Sequence, residues 1–374
     1  IAGLLLQIGT FPDGEAPAYL AEHLRVPIIV HSLPEDRLDT AVELNSLCGA
    51  NLTTFTLTAL EHRYVHAHGD PTEPGVQATL LSQARAVMAL AELRALSMAL
   101  IGYRAPGFYP CVFDELLLRR QLGLRIEHVG LNEVAEALRT APPKPLPVRE
   151  FPTTAGGRLS ADAVAAMERY YGAISSVLAR TGARVVAIKD WPELFDLDSP
   201  GGFWPVLGWV ADDGPIVAPE GDVHGAVTMA LQASLTGNRP FFADVSAWDD
   251  ATSTLTLWHY GGAPSLARDP DEIRYGPEGR EVQFTLRPGP ATLVRLGLHR
   301  GALRLLAVAV NVEDEPVTLR RAGARVRTLH TPAGEVIRRI LDEGWEHHSS
   351  LVHGDIMPEL RAVSRLSGIP LMAL

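Results

Sequence analysis

Short apolar runs alternate with segments of helical length from the first residue to residues 184–188, and that alternation confines this part of the chain to parallel strands covered by helices. Residues 1–8 are a continuous apolar run, 16–24 have helical spacing, and 26–30 are apolar again. A polar break at 45–49 precedes a helical run over 53–61, and 64–66 reads as a short strand. The stretch 74–96, rich in Ala, Leu and Arg, predicts the longest helix. The pattern then restarts with a strand over 97–102, a loop over 103–110 and a helix over 111–122, and it repeats at 124–129 and 134–138. Pro142, Pro143, Pro145 and Pro147 mark an extended connector. A helix over 160–179 opens on a serine cap and leads to a strand over 184–188.

Beyond residue 264 the pattern changes to period two. Residues 282–286, 292–298, 303–312 and 317–328 alternate apolar and polar side chains between short turns, which predicts an antiparallel sheet or small barrel. A last helix over 358–367 and a last strand over 369–374 follow. At 374 residues the chain exceeds one ordinary core. The expected arrangement is α/β: two doubly wound, Rossmann-like parallel-sheet domains over 1–96 and 97–240, then a β-rich domain with a terminal helix over 241–374.

A net charge of −11 argues against nucleic acid as a partner, which leaves small polar ligands. Cys48 and Cys111 have no paired metal spacing and fit a reducing compartment, so the cytoplasm is expected. No apolar run reaches the ~18 residues of a membrane span.

Residues 219–264 hold the groups that carry chemistry. Glu220 precedes a helical run over 225–235, a short apolar strand ends at Asp244, and the next strand, 252–258, ends at His259. A further imidazole is available from His347 or His348. Oxygen and imidazole donors together suit a divalent ion such as manganese or zinc. Taken singly, Glu220 reads as a helix cap, Asp244 as an arginine's partner, His259 as a core histidine and the His347–His348 pair as a solvated turn. Their shared placement at element ends is what favours a site. Asp222, His224, Asp249, Asp250, His353 and Asp355 read as caps or supporting partners. Arg104, Tyr109, Lys189 and Trp191 follow the strands 97–102 and 184–188, where open parallel sheets bind ligands. An indole between charged groups suits a polyol, although a solvated arginine and packed rings would look the same.

At these residues the chain resembles the L-fucose and L-arabinose isomerase family of ketol isomerases. The likeness lies in Glu220 with residues 225–229, in Phe242, Ala243 and Asp244, in residues 257–261, and in His347 and His348 ahead of Gly354 and Asp355. Weaker points are 45–49, 107–109 and 189–194. The resemblance implies a metal-dependent aldose–ketose isomerase acting on a free pentose, hexose or deoxysugar through an enediolate. It implies Glu220 and Asp244 as metal ligands and acid/base groups, and His348, with His347 as the alternative, completing the coordination of a divalent metal, usually Mn2+. His259, Lys189, Trp191, Arg104 and Tyr109 are expected to line the sugar. An aspartate at the second ligand position looks like the fucose branch, whereas an early histidine such as His259 looks like the arabinose branch. The family likeness also implies a trimer or hexamer and a first domain shortened at its front. Two other readings use the same residues: sugar capture without catalysis, and metal-assisted hydrolysis.

Overall fold

The computed structural model describes residues 1–374 apart from 38, 40, 149, 197–201, 278 and 317–319, and leaves the side chains of 195 and 196 undescribed. The strand expected over 317–328 therefore lies partly outside the described residues, and its described part is Ala322–Thr328. The chain divides into two units, Ile1–Leu93 with Ile356–Leu371, and Arg94–Asp355 with Met372–Leu374.

In the first unit, strands Leu4–Ile8, Ile28–Ser32 and Tyr64–His68 pair in parallel and in chain order. The middle strand is buried throughout, as a strand between two covered faces should be. With no reversal of order, this sheet has no switch point. The terminal helix, Met357–Ser367, packs on strand Tyr64–His68 of this unit. Sequence proximity had grouped it with the β-rich segment before it.

The second unit contains both the other parallel sheet and the larger sheet, on either side of residue 240. Its parallel sheet has the order Arg125–Val129, Ser97–Ile101, Val185–Ile188, Ile216–Ala218. Here the first strand lies between the second and third, so the order reverses between Ser97–Ile101 and Val185–Ile188, the place where doubly wound sheets open a ligand crevice. Helix Ala161–Thr181 begins where expected, with the Ser160 hydroxyl accepting from the amide of Ala163.

Six antiparallel strands close into a barrel in the order Gly289–His299, His348–His353, Phe241–Asp249, Thr254–His259, Ala322–Thr328 and Ala302–Val312, the last pairing back to the first. The closing hairpin turns at Arg300 and Gly301, with φ of 50° and 78°, the handedness that tight hairpins require. Leu374 donates to the carbonyl of Ala307 and accepts from the amide of Ala309, the straddling pattern of a parallel pair, which makes the larger sheet mixed.

Helix Val223–Thr236 joins the two layers. It packs on Val185–Ile188 and Ile216–Ala218 and also on Gly289–His299 and His348–His353, so almost every residue in it is buried. Gln232 on this helix donates through Nε2 to the carbonyls of Thr292 (3.2 Å) and Ser350 (2.8 Å) on the barrel. Among the described residues no helix is long and apolar enough to cross a membrane.

Candidate active site

Strand Ile216–Ala218 passes into helix Val223–Thr236 through residues 219–222, where Glu220 and Gly221 both adopt left-handed backbone, φ 62° and 66°. For a glutamate that conformation costs about 1–2 kcal/mol, and it persists because neighbours fix it. The Glu220 amide donates to Asp190 Oδ1 at 2.8 Å, and the Gly221 amide donates to the carbonyl of Ile188 at 2.9 Å. Asp190 is held in turn by the indole N–H of Trp204 at 2.8 Å. The turn is thus tied to the carboxyl end of strand Val185–Ile188, at the reversal of sheet order.

The Glu220 side chain is buried, and its Oε1 accepts from the Tyr260 hydroxyl at 2.5 Å. Its other oxygen, Oε2, lies 3.0 Å from Nε2 of His348. His348 opens its barrel strand and stands in register opposite Asp244. A bulge between Val245 and Ala247 interrupts the ladder just past Asp244, as bulges do where a strand re-aims a side chain. Asp244 Oδ1 is 3.9 Å from His348 Nε2 and 4.0 Å from His347 Nε2. His259 ends the next strand, also buried, with Nδ1 3.0 Å from the carbonyl of Tyr260. A carbonyl only accepts, so Nδ1 carries the proton and Nε2 keeps its lone pair.

Three donor groups share His348 among the described residues: Cys111, Asp222 and His348; Glu220, His347 and His348; and Asp244, His259 and His348, with ligand atoms within 4.8 Å of one another in each. The carboxylates flank His348, one in each group. Glu220 Oε2, Asp244 Oδ1 and His348 Nε2 are buried atoms without a hydrogen-bond partner. Buried polar atoms left unpaired are costly, and a cation beside Nε2 of His348, which has Glu220 Oε2 at 3.0 Å and Asp244 Oδ1 at 3.9 Å, would relieve that cost. The 3.0 Å between Glu220 Oε2 and His348 Nε2 matches two neighbouring ligand atoms at a right angle when each bond is about 2.1 Å. Two carboxylate oxygens with imidazole nitrogen form a mixed set suited to manganese or zinc. The residues fit the ion.

The electrostatics separate the two acids. Burial raises Glu220, but the imidazoles of His348 and His259 and the Tyr260 hydroxyl bring it down to about 2. Burial and the Glu220 charge push Asp244 up to about 6, with His348 opposing. Burial holds His259 at about 3 and His347 at about 4, both neutral imidazoles. His348 goes the other way: against its burial, Asp222, Cys111 and Glu220 raise it well above the ordinary value.

The other expected residues surround this group unequally. Phe108, from the loop after strand Ser97–Ile101, sets its edge against His347 at 5.2 Å and against Trp191 at 5.4 Å, so Trp191 and the loop line one side together. Lys189 is engaged by Glu193 at 2.5 Å. The Arg104 guanidinium lies over the rings of Tyr103 and Tyr109 at 5.4 and 5.2 Å, and its Nε is buried without a partner. Tyr109 is 72% exposed, and its described contact is with Arg104 rather than with the donor atoms. Asp190, Tyr260, Phe108 and Arg295 were not singled out in the sequence. Tyr260 and Asp190 adjoin named positions, and Arg295 left a weak signal as an arginine within the apolar run 293–296.

No family model matches the chain. Among curated proteins it is similar to sulfoquinovose isomerases. The one from Alkalicoccus urumqiensis is 28% identical over 381 residues, covering 99% of this chain and 86% of that protein. The one from Priestia megaterium is 26% identical over 373 residues, covering 97% and 83%. A third, from Clostridium sp. (strain MSTE9), is 28% identical over 383 residues, covering 96% and 83%. The chain is an enzyme, an isomerase of the aldose–ketose type. Of the three chemistries open at the level of sequence, isomerisation is the one these relatives carry.

Proposed function

We propose that this chain interconverts a sulfonated hexose, sulfoquinovose, and its ketose at the Glu220–Asp244–His348 centre, with a divalent ion, Mn2+, held by those three residues. The observation that carries the reading is the approach of two buried carboxylate oxygens, Glu220 Oε2 from an inter-layer turn and Asp244 Oδ1 from one barrel strand, to the buried Nε2 of His348 on the next. The substrate follows from the relatives' names. When bound, the ion would supply Lewis-acid stabilisation for the negative charge that builds up on the sugar as a proton leaves carbon.

Moving a carbonyl between neighbouring carbons requires one proton to be taken from a hydroxyl-bearing carbon and returned one atom along. Two carboxylates with well-separated proton affinities divide such work. Glu220, fixed by Tyr260 and held anionic, keeps one orientation. Asp244, raised to about 6, lies near neutrality and is 26% exposed at its side chain, so it returns the proton to the sugar while the anionic Glu220 takes it. Phe108 and Trp191 present ring edges and faces to a sugar and keep water from that side.

A direct test is to strip the protein with a chelator, restore Mn2+, and follow sulfoquinovose by NMR in deuterated water. Turnover that disappears with the metal, returns with it, and places deuterium on the carbon that receives the returned proton is expected. Full turnover after exhaustive chelation would remove the metal from the proposal. Turnover of unsulfonated sugars with none on sulfoquinovose would remove the substrate.

A sulfonate needs a cation, and Arg104 is the candidate beside this turn. Lys189 and Arg321 are paired with Glu193 and Glu281, whereas the described hydrogen bond of Arg104 is to a carbonyl, that of Ala105. A charge-assisted hydrogen bond contributes about 1.5–3 kcal/mol, so Arg104→Met is expected to raise KM for sulfoquinovose by roughly 10- to 100-fold. The same variant should leave KM for an unsulfonated aldose unchanged, and an equal rise for both sugars would count against a sulfonate role.

A further inference from the structure

Behind the donor atoms lies a buried ion pair that the proposed chemistry does not use. Asp222 and Arg295 have side-chain exposures of 0% and 1%. Asp222 Oδ1 accepts from the Gly225 amide at 2.9 Å and from Arg295 Nη2 at 3.3 Å. Its Oδ2 accepts from Arg295 Nη1 at 2.5 Å and from His348 Nδ1 at 2.9 Å. The carboxylate is saturated, so it has no lone pair left for a metal. A buried ion pair is weak evidence for stability, because desolvation offsets the attraction and apolar residues of the same volume often do as well. Its retention calls for another reason.

The contact with His348 supplies one. A carboxylate so engaged only accepts, which places a proton on Nδ1 of His348 and makes Nε2 the nitrogen that faces Glu220 Oε2 and Asp244 Oδ1. We propose that Asp222 is a positioning residue that fixes the tautomer and ring plane of His348 for metal binding, and that Arg295 fixes Asp222. The helix start, the barrel strand Gly289–His299 and the barrel strand His348–His353 are locked together through this one carboxylate. Metal-ligating histidines are commonly oriented by such an acceptor, and losing it weakens metal affinity about 10- to 100-fold.

This inference rests on the assignment of His348 as a ligand, and the experiment separates the two. Mn2+ affinity is measured by titration with EPR detection of free ion, alongside thermal unfolding, for the wild type, His348→Ala, Asp222→Asn and the double variant Asp222→Asn with Arg295→Met. The double variant removes both charges and so avoids a stranded arginine. Expected is a folded double variant whose Mn2+ affinity is lower by about 10- to 100-fold, with Asp222→Asn alone weaker in both affinity and stability. A folded double variant that binds Mn2+ as tightly as the wild type overturns the positioning role while His348→Ala still loses the metal. If His348→Ala binds as the wild type does, the ligand assignment itself is wrong.

Discussion

Glu220→Gln is expected to lower kcat for aldose–ketose exchange by about 1,000-fold or more, since on the proposed reading the change removes an anionic donor from the centre and a general acid/base partner together. The amide is nearly isosteric, and its oxygen still accepts from the Tyr260 hydroxyl, so the turn at 219–222 should keep its backbone ties to Asp190 and Ile188. The far-UV spectrum and the unfolding temperature should therefore stay close to wild type. Steady-state kinetics together with deuterium wash-in separate the outcomes. Lost turnover with lost wash-in means that proton abstraction is blocked, whereas unchanged turnover would show that Glu220 takes no part.

The second large effect falls on stability. At Gly221, with φ 66°, a Cβ would meet the carbonyl oxygen of Tyr103 at 1.9 Å and the Cα of Arg104 at 3.2 Å. The nearest atoms are all backbone of residues 103 and 104, so no flexible side chain can yield. Gly221→Ala is expected to cost about 2–4 kcal/mol, the sum of a left-handed backbone cost and a displaced loop. Gly182→Ala provides the comparison, because its φ of 62° is also left-handed but nothing stands within 4 Å of the added carbon. That change should cost only the backbone part, about 1–2 kcal/mol. Urea midpoints for the two variants report the difference, and equal losses would show that the loop 103–109 yields freely. The Gly221 variant should also lose activity, since Phe108 and Arg104 ride on the displaced loop.

Most strands in the two sheets of the second unit were readable because they obey local rules: continuous apolar runs where both faces are covered, alternation where the barrel has an inside and an outside; Ile216–Ala218 and His348–His353 were not read as strands. Helix Phe203–Asp212 escaped because it is apolar all round, with Trp209 fully buried, so it shows no periodic face. The acids and imidazoles proposed as metal donors were legible as polar groups at element ends. Asp222 was legible only as a helix cap, which it is, since its side chain accepts from the Gly225 amide. Its hold on His348 spans 126 positions and its pairing with Arg295 spans 73. No short-range pattern encodes contacts of that reach. Tyr109 was legible as a loop aromatic, but its stacking partner in space, Arg104, was not paired with it from the sequence.

Glu220 is borne by the parallel-sheet layer, while Asp244 and His348 belong to the barrel, so the spacing of the donor atoms records how the two layers are aligned. A sideways slip of one ångström would spoil a 3.0 Å approach. Gln232 acts as the bolt against that slip, its one amide nitrogen spanning the carbonyls of two neighbouring barrel strands from a helix seated on the other layer. A residue three turns along the helix from the chemistry thereby governs how sharply the centre is focused.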